Sequence, residues 1–173
     1  MSLSDKITRR ASLAFALAAP LFVSGCFQPM YGGAGGALLT SELRGIKVEP
    51  IPERMGHYLS NELRFALSGG EEDPNARYRL VVSLRQRIQA PLVDTVSGRA
   101  TSGMLIVDAD YRLVPIAGGE AILSGVAFGT ASYDRTSNRF SNLRAARDAE
   151  IRSAKTLADQ IRTRVSAALA QRA

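Results

Sequence analysis

Apolar and polar side chains alternate along Tyr78-Arg79-Leu80-Val81-Val82-Ser83-Leu84-Arg85-Gln86-Arg87-Ile88. A period of two residues is typical of a β-strand with one face on a hydrophobic core and the other in water. We therefore predict a long, half-buried strand here. Its inner face carries Tyr78, Leu80, Val82, Leu84 and Ile88.

Two further strands follow along the chain. In the first of them every second residue is apolar: Leu105, Val107, Ala109, Tyr111 and Leu113. Gly118-Gly119 ends this strand. The segment 121–133 is rich in small residues and also contains Val126 and Phe128, which favours a hairpin partner. Gly125 and Gly129 weaken its alternation, so the sequence leaves open which of its faces is buried.

A short strand and a helix precede the long strand. Ile46 and Val48 alternate before Pro50, and Pro52 suits the first turn of a helix because its missing N–H is not needed there. Apolar residues then recur at steps of three and four, until Gly69-Gly70 closes the helix: Met55, Leu59, Leu63, Ala66 and Leu67.

The last segment predicts a long helix from about Asn142 to Ala170. Its apolar stripe consists of Leu143, Ile151, Ala154, Leu157, Ala158, Ile161, Val165 and Leu169. Arg147 falls within that stripe, so either the first turn extends beyond the core or Arg147 meets a partner or a buried acid. The order βαβββα predicts an α+β fold, with a largely antiparallel sheet of about four strands and two helices packed on one face.

The N-terminus predicts an export signal in residues 1–25. Lys6, Arg9 and Arg10 precede an apolar run that ends in Leu21-Phe22-Val23-Ser24-Gly25, and that run is too short to span a bilayer comfortably. Cys26 follows directly, as in a bacterial lipobox, and we expect it to be the lipid-attachment residue. The alternatives are an ordinary leader with a chance cysteine and, for the export route, a weak twin-arginine signal in place of the general one.

Cys26 is the only cysteine, so the mature chain cannot form an internal disulfide. Glycines at 32, 33, 35 and 36 predict a flexible tether over residues 26–44, ahead of a single domain at 45–173. A phosphate-binding loop is the alternative for the glycines, but no Gly-Lys-Ser/Thr follows them.

The charge is moderately basic. The whole chain has a formal net charge of +6; three basic residues and Asp5 give the leader +2, which leaves +4 for the mature part. This excess favours acidic partners such as phosphorylated lipid. Nucleic acid is disfavoured as a partner of an exported, membrane-tethered chain, and no motif predicts a cofactor.

Four arginines, Arg77, Arg79, Arg85 and Arg87, share the outer face of the predicted long strand. A row of guanidinium groups can bind phosphates bidentately. The same row can instead be a polar sheet face with Asp108 and Asp110 of the next strand as counter-charges, or it can protect a sheet edge. These arginines are the candidate ligand-binding residues, and the choice between the uses stays open.

The sequence contains no recognisable group of catalytic or metal-binding residues. His57 is the single histidine, and it lies on a predicted helix without a recognisable nucleophile or orienting partner. Asp108 and Asp110 share a strand face, but a cation site would need further oxygen ligands. We therefore expect a protein that is not an enzyme.

Several segments resemble the LptE family of outer-membrane lipoproteins, which take part in lipopolysaccharide assembly, in its alphaproteobacterial form. Cys26-Phe27-Gln28-Pro29-Met30-Tyr31-Gly32 is similar to the family's Cys-Gly-Phe-x-Pro-Leu-Tyr-Gly start, without the glycine and with methionine for leucine. Ala131-Ser132-Tyr133-Asp134, Ser137, Phe140-Ser141 and the helix from Arg147-Asp148-Ala149 to Ile161 follow the family in order and spacing.

The resemblance implies a domain that sits as a plug inside the outer-membrane barrel LptD, one copy per barrel. It further implies that the domain assists assembly of that barrel and binds lipopolysaccharide during transport to the outer leaflet. Phe27 after the cysteine, rather than aspartate, fits sorting to the outer membrane. The alternatives are another periplasm-facing structural or accessory lipoprotein and an envelope enzyme; the second lacks a catalytic set.

Overall fold

The computed structural model describes residues 33–71, 73–92, 98 and 100–172. In this part, three helices and four strands follow one another along the chain. They are α1 (Gly33–Arg44), β1 (Ile46–Val48), α2 (Glu53–Ser68), β2 (Tyr78–Gln89), β3 (Ser102–Pro115), β4 (Leu123–Asp134) and α3 (Arg139–Ala170). Residues 1–32, with the predicted leader and Cys26, lie outside the described residues, as do residues 93–97 of the connection between β2 and β3.

The four strands form one mixed sheet in the order β1-β2-β3-β4. β2 and β3 pair antiparallel, with Leu84 opposite Ala109, and β3 pairs antiparallel with β4, with Ala109 opposite Ala127. β1 is parallel to β2, and α2 makes the crossover that a parallel pair requires. The predicted α+β fold with a largely antiparallel sheet is confirmed.

The long strand β2 has the predicted inner and outer faces at its start. Leu80 and Val82 are buried, and they share one core with the buried side chains Val107, Tyr111 and Leu113 of β3. Towards its end β2 leaves the core, because every residue from Arg85 to Gln89 is exposed. Ile88 is therefore not a core residue, contrary to the prediction from the alternation.

Small residues line the core side of β4, and this decides the face that the sequence left open. Ala127 and Ala131 are buried, whereas the larger Val126 and Phe128 are about half exposed on the other side. A side chain on Gly129 would come within 3.2 Å of Leu157 on α3. The glycine and alanines therefore let α3 approach β4 closely.

α3 also bonds to the outward edge of β4. The Gln160 side chain accepts from Phe128 N–H (3.3 Å) and donates to the Phe128 carbonyl (2.9 Å). Arg164 donates to the Val126 carbonyl (2.6 Å), and Arg152 donates to that of Ser132 (3.0 Å). These side chains serve as hydrogen-bond partners along an edge on which the described residues place no further strand.

α2 follows the prediction closely. Its apolar stripe is buried, Pro52 immediately precedes its first residue, and Gly69 ends it with φ +73°. That left-handed conformation favours glycine, which has no Cβ. Arg54 joins α2 to α3 through two hydrogen bonds to the Glu150 carboxylate (2.8 and 2.6 Å), which raise the pKa of the guanidinium.

α3 begins earlier than predicted and extends beyond the core. The Asn138 side chain accepts from the N–H groups of Phe140 and Ser141, which caps the helix. The stripe from Ala154 to Leu169 is buried as predicted, but Leu143 (52% exposed) and Ile151 (45%) are not in the core. Arg147 is exposed as well, so the first turns of the helix lie outside the core.

Residues 33–44 correct the predicted flexible tether. They form the helix α1, which contacts α2 and α3 and buries Leu39 and Leu43 in the core. Glycine costs about 1 kcal/mol relative to alanine within a helix, and burial of leucine side chains offsets a penalty of this size. The folded part of the chain therefore begins before residue 45.

Candidate functional site

The four predicted arginines divide between the two ends of β2. Arg77 immediately precedes the strand and Arg79 lies at its start, whereas Arg85 and Arg87 lie in its exposed second half. Arg79 and Arg85 are six residues apart, which is about 20 Å along a strand. The row is consequently two pairs of arginines and not one compact site.

Each of these arginines has a carboxylate partner. The ion pairs are Arg77–Glu42 (2.6 Å), Arg79–Glu49 (3.8 Å), Arg85–Asp110 (2.8 Å) and Arg87–Asp108 (2.9 Å). Asp108 and Asp110, which the sequence offered as counter-charges for the whole row, thus lie beside only two of its members, Arg85 and Arg87. Ion pairs this exposed contribute only about 0–1 kcal/mol, so an incoming phosphate can compete for the guanidinium groups.

A second cluster lies where the end of β2, the end of β4 and the start of α3 meet. An open cleft of about 340 Å³ is lined there by Ile88, Tyr133, Arg135, Arg139, Asn142, Leu143 and Ala146. We call these residues the tip surface. Ile88 is 61% exposed, and Phe140, beside the cleft on α3, is 69% exposed. Apolar groups are therefore presented to solvent at this end of the molecule.

The tip surface combines these apolar groups with arginines that form no ion pair with any described residue. Among the described residues, Arg135 and Arg139 have no carboxylate partner, and neither has Arg147 one turn beyond Leu143. Arg144 lies over the Phe140 ring, 5.9 Å from its centre. Sequence reasoning missed this cluster; its one signal was an arginine within the apolar stripe of α3.

The residues considered for catalysis are not brought together. The His57 ring is on the surface of α2, where its Nε2 bonds to the Asn61 amide (3.2 Å). Asp108 and Asp110 are engaged by arginines. In the described part of the chain, no group of three or more His, Cys, Asp or Glu residues could hold a metal ion. No described helix is both long and apolar enough to cross a membrane.

The fold recurs in solved structures of bacterial lipoproteins. A protein of Caulobacter crescentus classed as a lipoprotein has a TM-score of 0.65 and 24% identity, over 78% of this chain and 97% of its own. The match to the minor lipoprotein of Acinetobacter baumannii (TM-score 0.55, 19% identity) covers 70% of this chain and 90% of that one. The rare lipoprotein B of Shewanella oneidensis (TM-score 0.55, 11% identity) covers 73% and 96%.

These structures establish the class: an α+β domain with the fold of bacterial lipoproteins. The family model described as LptE, lipopolysaccharide-assembly, matches residues 43–165. The chain belongs to the LptE family, a non-catalytic family of outer-membrane lipoproteins of lipopolysaccharide assembly. No curated protein sequence matches it significantly.

Proposed function

We propose that this protein plugs the lumen of a lipopolysaccharide-translocating outer-membrane barrel of the LptD type, one copy per barrel. In this role it assists assembly of the barrel and binds lipopolysaccharide on its way to the outer leaflet. Membership of the LptE family supports the assembly role. The observation that carries the lipid-binding part is the tip surface, where exposed apolar side chains adjoin arginines without acidic partners among the described residues.

The chemistry of the tip surface matches a phosphorylated lipid. Guanidinium groups bind phosphate oxygens through charge-assisted hydrogen bonds, and Arg135 and Arg139 have no ion pair with a described residue to break. Ile88 and Leu143 offer contacts to acyl chains in the same cleft. Arg85 and Arg87 lie in the same half of β2 as Ile88 but on the opposite face of the sheet, and Arg77 and Arg79 lie near the other end of the strand.

Lipopolysaccharide binding is tested with charge reversal at the tip surface. We expect Arg135→Glu with Arg139→Glu to weaken binding of purified lipopolysaccharide at least about tenfold, which corresponds to 1.4 kcal/mol. Both positions are exposed, and an acid in the first turn of α3 suits the helix dipole, so the fold should persist. Lys47→Glu with Lys155→Glu is the matched control; equal losses in both variants would contradict a specific site.

Barrel association is tested separately. Affinity purification of the C-terminally tagged full-length protein from detergent-solubilised envelopes should recover a large outer-membrane barrel at about one-to-one stoichiometry. Recovery of a different envelope complex would favour the alternative, an accessory lipoprotein of another machine. A barrel that co-purifies with both wild-type protein and the tip variant would separate the plug role from lipid binding.

The lipid anchor on Cys26 is part of the same proposal. Two or more acyl chains anchor a protein stably, whereas one does not. We expect Cys26→Ala to block lipidation and, in the absence of the barrel, to release the mature domain from membranes. Metabolic labelling with a fatty acid provides the measurement. Continued labelling of Cys26→Ala would show that the lipobox prediction is wrong.

A further inference from the structure

The second half of β2 has no strand on its outer side among the described residues. β1 pairs only with Tyr78–Leu80, and the last hydrogen bond on that side runs from the N–H of Glu49 to the carbonyl of Leu80 (3.0 Å). β2 continues for nine residues beyond Leu80, to Gln89. Among the strands that the structure describes, these roughly 30 Å of β2 have a neighbour, β3, on one side only.

The ladder pattern identifies the backbone groups that point outward. In an antiparallel pair, the residues that bond to the neighbour alternate with residues whose N–H and C=O point away from it. The carbonyl of Arg77 accepts from Ile116 on the β3 side (2.9 Å), and its N–H, just before the strand, donates to Gly45 (2.8 Å). Within the strand, the N–H of Tyr78 donates to Gly45 (3.0 Å) and the carbonyl of Leu80 accepts from Glu49 (3.0 Å), both on the β1 side. The even-numbered residues therefore face outward, and those beyond Leu80 are Val82, Leu84, Gln86 and Ile88.

None of these outward backbone groups has a hydrogen-bond partner in the part of the chain that the structure describes. From Arg85 onward all residues are exposed, so a second chain can reach the groups of Gln86 and Ile88. The edge at β4 differs, because Arg152, Gln160 and Arg164 of α3 already bond to it. The sheet thus has one occupied edge and one available edge.

Charge selects the kind of strand that can pair with this edge. Arg85 and Arg87 are on β2, the outermost strand here, while their partners Asp110 and Asp108 lie one strand further in. A second copy pairing through the same edge would bring arginines beside arginines, which is unfavourable. Acidic side chains on an added strand would instead lie beside the arginines, with each guanidinium between two carboxylates.

We propose that the second half of β2 binds an extended segment of a protein partner as an added fifth strand of the sheet. In that segment, acidic residues beside Arg85 and Arg87 alternate with apolar residues beside Leu84 and Ile88. Backbone hydrogen bonds supply the pairing, and the alternation selects the partner. The added strand would share Ile88 with the tip surface, but its backbone pairing involves no lipopolysaccharide.

Amide hydrogen exchange on the full-length protein in detergent tests the free edge. We expect the amides of Leu84, Gln86 and Ile88 to exchange at least about a hundredfold faster than those of Arg85 and Arg87, which bond to β3. Similar slow exchange at all five amides would overturn the proposal. Slow exchange that appears only at high protein concentration would indicate self-pairing and would overturn it as well.

A cyclic β-hairpin peptide with an exposed Glu-Val-Glu-Val-Glu-Val strand serves as the probe, since cyclisation lowers the entropy cost of binding. We expect it to protect the amides of Leu84, Gln86 and Ile88, and a Lys-Val version to protect none. Gln86→Pro removes one outward N–H without breaking the β2–β3 ladder and should weaken hairpin binding at least about tenfold. Gln86→Ala is the control, because it loses the Glu53 contact but keeps the N–H.

Two results of the hairpin experiment would contradict the proposed pairing. One is equal binding of the acidic and basic hairpins; the other is equal binding by Gln86→Pro and Gln86→Ala. If Gln86→Pro does not fold, Ile88→Pro replaces it, because that N–H also points outward and lies nearer the end of the strand. Protection of the wild-type amides by the acidic hairpin tests the proposed pairing without either variant, and its absence would contradict the pairing.

Discussion

The edge of the sheet at β4 is covered by α3, whereas no described residue covers the edge at the second half of β2. The β4 edge is covered because a segment of α3 and the strand beside it have similar lengths. From Arg152 to Arg164, α3 rises about 18 Å at 1.5 Å per residue, and the bonded carbonyls from Ser132 to Val126 span about 20 Å of strand. A helix that runs antiparallel to a strand can thus supply side chains in step with its outward groups. β1, with three residues, cannot do the same for β2.

Weakening the packing of α3 on β4 should leave the β4 edge as accessible as the β2 edge. We expect this change to cause the largest loss of stability. Leu157 is fully buried between α3 and β4, so Leu157→Ala should lower the free energy of unfolding by about 2–5 kcal/mol. Denaturant unfolding measures the loss. Ile151→Ala, on the same helix but 45% exposed, is the control and should cost less than about 1 kcal/mol. Equal losses would mean that α3 is not held through this face.

Removal of the side chain that bonds to Phe128 should open the edge with a smaller effect on stability. Gln160→Ala eliminates two hydrogen bonds in a solvent-accessible position, for an expected loss of about 1 kcal/mol. The amide of Phe128 should then exchange faster. Gln160→Glu sharpens the test, because a carboxylate can accept from that N–H but cannot donate to the carbonyl. An unchanged exchange rate in Gln160→Ala would show that the side chain does not protect this edge.

The ion pairs beside the second half of β2 should contribute less to the free energy of unfolding than Leu157 or Gln160 does. A double-mutant cycle with Arg85→Ala and Asp110→Ala is expected to give a coupling of about 0.2–1 kcal/mol, because both side chains are exposed. The coupling should decrease with added salt. A coupling well above this range would mean that Arg85 is held firmly by Asp110 and is not available to a partner strand.

At the start of β2, where the strand is paired on both sides, Tyr78 should make the stability of the protein depend on pH in the alkaline range but not near neutral pH. Burial, and then the neighbouring Glu42 carboxylate, raise the pKa of Tyr78. The folded protein keeps this proton at a pH where the unfolded chain has lost it, so the contribution is complete below pH about 10 and is lost as pH rises through the raised pKa. Urea unfolding between about pH 8 and pH 11 should show a smaller decline for Tyr78→Phe. Identical declines would contradict the assignment.

The sequence predicted the elements with regular hydrophobic periods and missed what depends on their neighbours. Alternation identified the start of β2, and three- and four-residue steps identified α2. The same periodicity continues through Leu143 and Ile151, although both side chains are about half exposed. A hydrophobic period identifies one face of a helix but not how much of that face is buried. On β4 the buried face carries Gly129 and two alanines, the reverse of the usual rule that large apolar residues face inward.

The candidate site was predictable only where its residues are close in sequence. The arginines of β2 were visible as a row, and their aspartate partners followed from strand pairing. The tip surface joins Ile88, Tyr133 and Leu143 from three different elements. Such a juxtaposition depends on the register of the sheet and on where α3 begins, and neither can be read from one sequence.

The helix α1 limits how far the domain can move from a membrane. With lipid on Cys26, as proposed, only residues 27–32 separate the anchor from Gly33, and seven Cα–Cα steps reach at most about 25 Å. A tether as far as residue 44 would have reached about 65 Å. The connection is therefore shorter than a bilayer is thick, and it keeps the first residue of α1 within about 25 Å of the lipid-bearing cysteine.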